Sequence, residues 1–188
     1  MRQLSGWWKQ LVEVGLAATV LFYLWTSAFG VTSLQYHRGI AILYSFAAGF
    51  LMYPVTRRAP KDRPTWADAA LAAASAVVTG YWVFQYEALA YRAGAYTSLD
   101  FAMGLAATLL ALEVTRRALG IPMTVVAVAM VAYALWGNYL PGAISHRGFP
   151  LRRVVEYVYL TPEGLFGIMA DIIGSYILPF VAFGAFLM

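Results

Sequence analysis

The chain has no cysteine and only two histidines among 188 residues. Without cysteine there is no disulfide framework, no thiolate nucleophile and no thiolate metal site. Two histidines far apart in sequence, His37 and His146, make a poor metal site. Charge is scarce as well: Asp, Glu, Lys and Arg make up 12% of the chain, against roughly 25% in a soluble domain. What is abundant is apolar: 62% of the residues are hydrophobic. They gather in runs near the ~20 residues needed to cross a ~30 Å hydrocarbon core. The runs are too long and too rich in Ala and Leu to be the alternating ~10-residue strands of a barrel. Since backbone polar groups in lipid must be satisfied internally, the remaining solution is helical. The sequence therefore predicts an all-α polytopic membrane protein of about six membrane segments, with a short interfacial amphipathic helix. The net charge of +4 sits at the ends of the runs, as in membrane proteins, and does not point to nucleic acid.

Residues 1–10, with Arg2, Lys9 and the pair Trp7-Trp8, read as a short interfacial helix. The first span is expected at 11–29. A secretory signal peptide is the competing reading of this region. The apolar run exceeds the usual ~7–15-residue h-region, and Glu13 and Trp25 suit one poorly. Residues 30–39, with His37 and Arg38, read as a turn, and a second span follows at 40–55. The loop from Thr56 to Trp66 carries Arg57, Arg58, Lys61 and Arg63, the strongest cytoplasmic signal in the chain. Pro64, Thr65 and Asp68 then mark a capped helix start. In the third span, 67–86, Ala72, Ala76 and Gly80 recur at four-residue spacing, which favours close helix contact in lipid. The fourth span, 99–114, ends at Arg116-Arg117. Placing the N-terminus in the cytoplasm puts Arg2, Lys9, the 57–63 cluster and Arg116-Arg117 inside. Only Arg38 and Arg92 fall outside up to that point.

A fifth span at 121–136 leads to a Gly/Pro-rich loop, 137–150, with Ser145, His146 and Arg147. Leu151 to Leu160 places Arg152, Arg153 and Glu156 on one side and Val154, Val155 and Val158 largely on another, so it reads as an interfacial amphipathic helix. Thr161 as cap, Pro162 and Glu163 in a first turn would open a last segment, about 165–188, containing Asp171 and Pro179. Arg147, Arg152 and Arg153 break the positive-inside pattern. With His146 they are the candidate docking surface for a periplasmic partner. Asp171 is the candidate intramembrane acid. Its first reading is a helix-start acid near the outer surface, and its second is a buried carboxylate that binds an ion or proton. Glu13 and Glu113 are expected to pair with Lys9 and with Arg116-Arg117 on their own helices. Ser145-His146 lacks the geometry and the orienting third group of a hydrolase. No nucleophile elbow or phosphate loop is present. The chain reads as a non-enzyme with no cofactor and no catalytic or metal residues.

The stretch Glu113-Val-Thr-Arg-Arg-Ala-Leu-Gly-Ile-Pro, then Tyr133 to Tyr139 with Pro141-Gly142 and His146-Arg147-Gly148, resembles the fused permease of the tripartite ATP-independent periplasmic (TRAP) transporters, in the TAXI branch. The likeness continues through Tyr159-Leu-Thr-Pro-Glu-Gly-Leu-Phe-Gly to Tyr176-Ile-Leu-Pro-Phe-Val-Ala-Phe-Gly-Ala-Phe-Leu-Met. It covers about 112–188, while the first 110 residues match as a four-span bundle of the right size. The resemblance implies a Q-like scaffold at 1–117 and the start of an M-like transport part at 118–188. It also implies a location in the bacterial inner membrane. A sodium or proton gradient would drive uptake of organic acids or related anions delivered by a periplasmic solute-binding protein. The partners would be that protein, the rest of the permease and membrane lipid. The glycine-rich hairpins of the M part are absent, so no transport-site residue carries over. The end at Met188 inside an apolar run reads as a fragment or a separately encoded portion of a larger permease. The alternative is a non-transporting membrane scaffold or assembly protein.

Overall fold

The computed structural model describes residues 2–30, 33–56, 59–60 and 62–187. Arg57, Arg58 and Lys61, central to the loop signal above, lie outside them. The chain forms an all-helical bundle of α1 (Gly6–Phe29), α2 (Leu34–Met52), α3 (Trp66–Phe84), the short α4 (Tyr86–Tyr91) and α5 (Ser98–Ala118), continued by α6 (Ile121–Trp136) and α7 (Leu151–Leu160). The last helix, α8, runs Ile168–Phe186. Five of these are long and apolar enough to cross a membrane: α1, α3, α5, α6 with its extension to Tyr139, and α8. The chain is a polytopic helical membrane protein. The sixth long helix, α2, has 19 residues but opens on a polar turn that lowers its hydropathy.

That polar turn corrects the sequence expectation. His37 and Arg38 are not in a loop. They lie in the first turn of α2 and are buried. Helix α2 is the hub, packed on α1, α3, α5 and α8. Two glycines make this closeness possible. A Cβ on Gly39 would lie 2.4 Å from Val83 Cγ2, and one on Gly49 would lie 2.3 Å from Val114 Cγ2. The closest approach therefore runs through α2; of the Ala72–Ala76–Gly80 row, only Ala72 packs against the core. The inward face of α3 is Asp68, Ser75, Val78, Thr79 and Trp82. Ala76 faces out, and a Cβ on Gly80 would meet only Phe84 of its own helix. At the N-terminus, α1 is continuous from Gly6, so among the described residues no separate interfacial helix precedes it.

Beyond the bundle, α6 keeps the expected bounds because Gly120 (φ +87°) and Pro122 are local signals. None of its residues is buried. Helix α7 lies against α5, where Gly104 opens a notch for Val155 and Tyr159. Its buried anchors are Val155 and Tyr159, while Tyr157 is exposed. Residues 161–167 do not begin the last helix as expected. They form tight turns: Leu165 N–H donates to the Val158 carbonyl (2.7 Å) and Ile168 N–H to the Pro162 carbonyl (3.2 Å). Thr161 Oγ1 bonds back to the Tyr157 carbonyl instead of capping forward. Only glycine fits at 164 and 167, where a Cβ would sit 2.2 Å and 1.9 Å from backbone oxygens. Phe166, held in this turn, stacks on Trp82 with centroids 4.3 Å apart and meets the edge of Tyr159.

Candidate functional site

Helix α8 contains one π-helical turn, Ile173–Ile177, ahead of Pro179. Proline has no N–H for the Ser175 carbonyl, and its ring crowds that carbonyl, so a widened turn upstream relieves both defects. The widened turn carries Gly174 and Ser175 onto the start of α2. A Cβ on Gly174 would lie 2.3 Å from Tyr23 Cε1 and 3.0 Å from His37 Nε2. Ser175 Oγ is 3.0 Å from His37 Nε2. Tyr23, fully buried, donates its hydroxyl to the His37 carbonyl at 2.6 Å and meets the imidazole edge-on. One position on, Arg38 grips Asp171: Nη2 and Nε donate to Oδ2 at 2.6 and 3.1 Å, and Nη1 reaches the Phe166 carbonyl at 3.3 Å. The side chains are 11% and 29% exposed, so most of this charge is withdrawn from solvent. Asp171 is indeed in the first turn of its helix, and it is also the counter-ion of a buried arginine. Among the described residues, His37 Nδ1 is buried without a hydrogen-bond partner.

Two further polar centres clamp the bundle ends. At one end, Asp68 is fully buried between Arg2 Nη2 and Arg117 Nη1, each at 2.6 Å. It also closes a capping box with Thr65. Arg117 lies over the Phe50 ring and pairs with Glu113, which holds Arg116 as well, as the spacing predicted. At the opposite end, Asp100 closes a second capping box with Thr97, accepts the Tyr81 hydroxyl at 2.6 Å and faces Arg92 at 3.3 Å. Asp68 is legible in the sequence as a cap, whereas its two arginine partners and the ion-pair role of Asp100 are not. The Thr97-Ser-Leu-Asp100 spacing, the same as Thr65-Trp-Ala-Asp68, is the available signal for Asp100 as a cap. Lys9 and Glu13 pair loosely at 3.7 Å on the exposed face of α1.

The candidate docking residues His146, Arg147, Arg152 and Arg153 differ in their surroundings. His146 folds back into its own loop. Gly148 N–H donates to Nδ1 (3.0 Å), which leaves the ring proton on Nε2, facing the Tyr133 carbonyl at 2.9 Å. The ring packs between Tyr133 and Phe149 and lies on Gly137, which has no room for a Cβ. Both nitrogens thus serve loop closure, and neither bonds Ser145. Arg152 pairs with Glu156 Oε1 at 2.8 Å and donates to the Tyr96 carbonyl. Burial, with Glu156 and Asp100 nearby, pushes the Tyr96 hydroxyl above its ordinary pKa. Arg147 and Arg153 are exposed. Among the described residues, no three His, Cys, Asp or Glu side chains cluster in a way that could hold a metal ion. Comparison of the chain with family models, curated proteins and solved structures finds no match.

Proposed function

We propose that the chain is the scaffold-forming portion of the membrane subunit of a TRAP-type secondary transporter. In this reading it sits in the bacterial inner membrane with its N-terminus in the cytoplasm. The complete permease takes up organic acids or related anions from a periplasmic binding protein, driven by a sodium or proton gradient. The substrate and ion sites belong to the polypeptide that completes the permease. This chain holds the frame and catalyses no reaction.

One observation carries the scaffold role. Two of the helices after Ala118 are fastened back onto the first four long helices, α7 by Tyr159 and Val155 against Gly104 and α8 by Asp171 on Arg38. A frame against which another part moves must resist movement itself, and buried ion pairs between helices give that resistance. The wholly unburied α6 offers apolar surface for further membrane helices. The orientation is supported by the clustering of Arg2, Arg116 and Arg117 at one bundle end. The test is uptake of organic acids by proteoliposomes holding this chain, the completing polypeptide and a binding protein, under an imposed sodium or proton gradient. Gradient-dependent uptake is expected. Silence across several acids and both ions sinks the transport reading and leaves a non-transporting scaffold.

A further inference from the structure

Between α6 and α7 lies a groove of about 690 Å³. Val131 and Ala134 form one wall, Val154 and Val158 the other, and Phe149 lines it from the connecting loop. Among the described residues, Arg153 is the one charged residue on its lining. We propose that this groove holds an anionic phospholipid, with an acyl chain along the apolar walls and the headgroup phosphate on Arg153.

The two walls and the cation ask for different things, and a phospholipid supplies both. Helix α6 has no buried residue and is apolar throughout, so its wall faces hydrocarbon. Helix α7 buries Val155 and Tyr159 in the bundle and turns its charged side outward, the posture of a helix at headgroup depth. The two adjacent arginines are not equivalent. Arg152 is committed to Glu156 and to the Tyr96 carbonyl. Arg153 has no ion-pair partner among the described residues. A cation above an apolar cleft between a membrane-crossing helix and a helix at headgroup depth is complementary to an anionic headgroup with its chain below. The same counter-charge explains why Arg153 is tolerated at the end of the bundle away from the Arg2–Asp68–Arg117 cluster. This inference does not depend on the transport reading.

The experiment uses the full chain, delipidated in neutral detergent, with bound lipid counted by native mass spectrometry. Dioleoyl phosphatidylglycerol and dioleoyl phosphatidylcholine, which share their acyl chains, are offered in competition. A preference of about fivefold for the anionic lipid is expected, the factor that one basic side chain contributes at an anionic surface. Arg153→Lys keeps the preference. Arg153→Ala, a change at an exposed position, abolishes it. Arg63→Ala, exposed at the other end of the bundle, leaves it intact. Ala134→Trp fills the groove and lowers the binding of both lipids. Equal binding of the two lipids by the wild type overturns the proposal, as does an undiminished preference in Arg153→Ala. So does displacement of the anionic lipid by glycerol 3-phosphate at matched concentration, which makes the site a headgroup site without a chain. A dimer that Ala134→Trp dissolves, with lipid binding unchanged, assigns the groove to a second copy instead.

Discussion

Replacing Asp68 by asparagine isolates charge from shape at the most buried polar centre of the molecule. The carboxylate accepts from Arg2 Nη2 (2.6 Å), Arg117 Nη1 (2.6 Å), Thr65 N–H (2.9 Å) and Thr65 Oγ1 (2.7 Å). The side chains of Asp68, Arg2 and Arg117 are 0%, 0% and 1% exposed, so solvent screening does not reduce the effect. An amide at 68 keeps one acceptor oxygen and points an N–H₂ at a guanidinium or at the Thr65 cap. Arg117 retains Glu113 at 2.7 Å, but Glu113 is already shared with Arg116. Among the described residues, Arg2 retains only the Leu51 and Pro60 carbonyls. One buried cation is therefore left without a counter-charge, a defect that costs about 3–5 kcal/mol. Reversible unfolding in mixed micelles, followed by far-UV circular dichroism, measures the loss. A double variant, Asp68→Asn with Arg2→Met, removes the stranded cation and is expected to recover more than about 1 kcal/mol relative to additivity. If Asp68→Asn stays within about 1 kcal/mol of wild type, or the two changes simply add, the buried-charge argument is wrong.

Asp171→Asn strands Arg38 in the same way, at a cost of about 2–3 kcal/mol because the acid is 29% exposed; hydrogen exchange should show α8 amides opening before those of α3. Gly174→Ala forces a methyl into Tyr23 and costs about 1–3 kcal/mol; Tyr23→Leu in the same chain is expected to relieve much of it in the same micelle assay. Tyr159→Phe removes the hydroxyl donated to the Val78 carbonyl at 2.7 Å but keeps the ring on Phe166, so a loss of about 1 kcal/mol is expected in the unfolding midpoint.

The elements whose signals are local were legible. Helix α6 and helix α7 stand where Gly120, Pro122 and Pro150 put them, since such residues act on their own turn. The i, i+3 and i, i+4 pairs of Glu113 are equally local. What could not be read was long-range. Arg38 beside an apolar run looks like an ordinary loop cation. Its partner lies 133 positions away, and only the meeting of α2 with α8 makes a buried arginine affordable. The same holds for Arg2 and Asp68, 66 positions apart. Asp171 was recognisable by chemistry, because an acid in an apolar run needs an explanation. The role of His146 was not, because its partners are backbone atoms, which carry no residue signature.

The two capping boxes show how a lipid-embedded bundle turns a local device into a global one. Helices α3 and α5 each begin with Thr-x-x-Asp, at opposite ends of the bundle. In water such an acid satisfies the free N–H groups of its own first turn and has no further duty. Here the same carboxylates are buried, so their charge demands a cation, and that cation comes from another part of the chain: Arg117 of α5 and Arg2 before α1 for Asp68, and Arg92 after α4 for Asp100. Each helix start is thereby tied to a neighbour at a fixed height along the bundle axis. Sliding α5 past α3 by one residue, about 1.5 Å, pulls Arg117 from Asp68 while dragging Asp100 from the Tyr81 hydroxyl at the other end. Apolar contacts in lipid resist such sliding weakly, because a slipped helix exchanges one greasy neighbour for another. Register in this bundle is therefore set by its few charges, which is why a chain so poor in charged residues spends several of them in its interior.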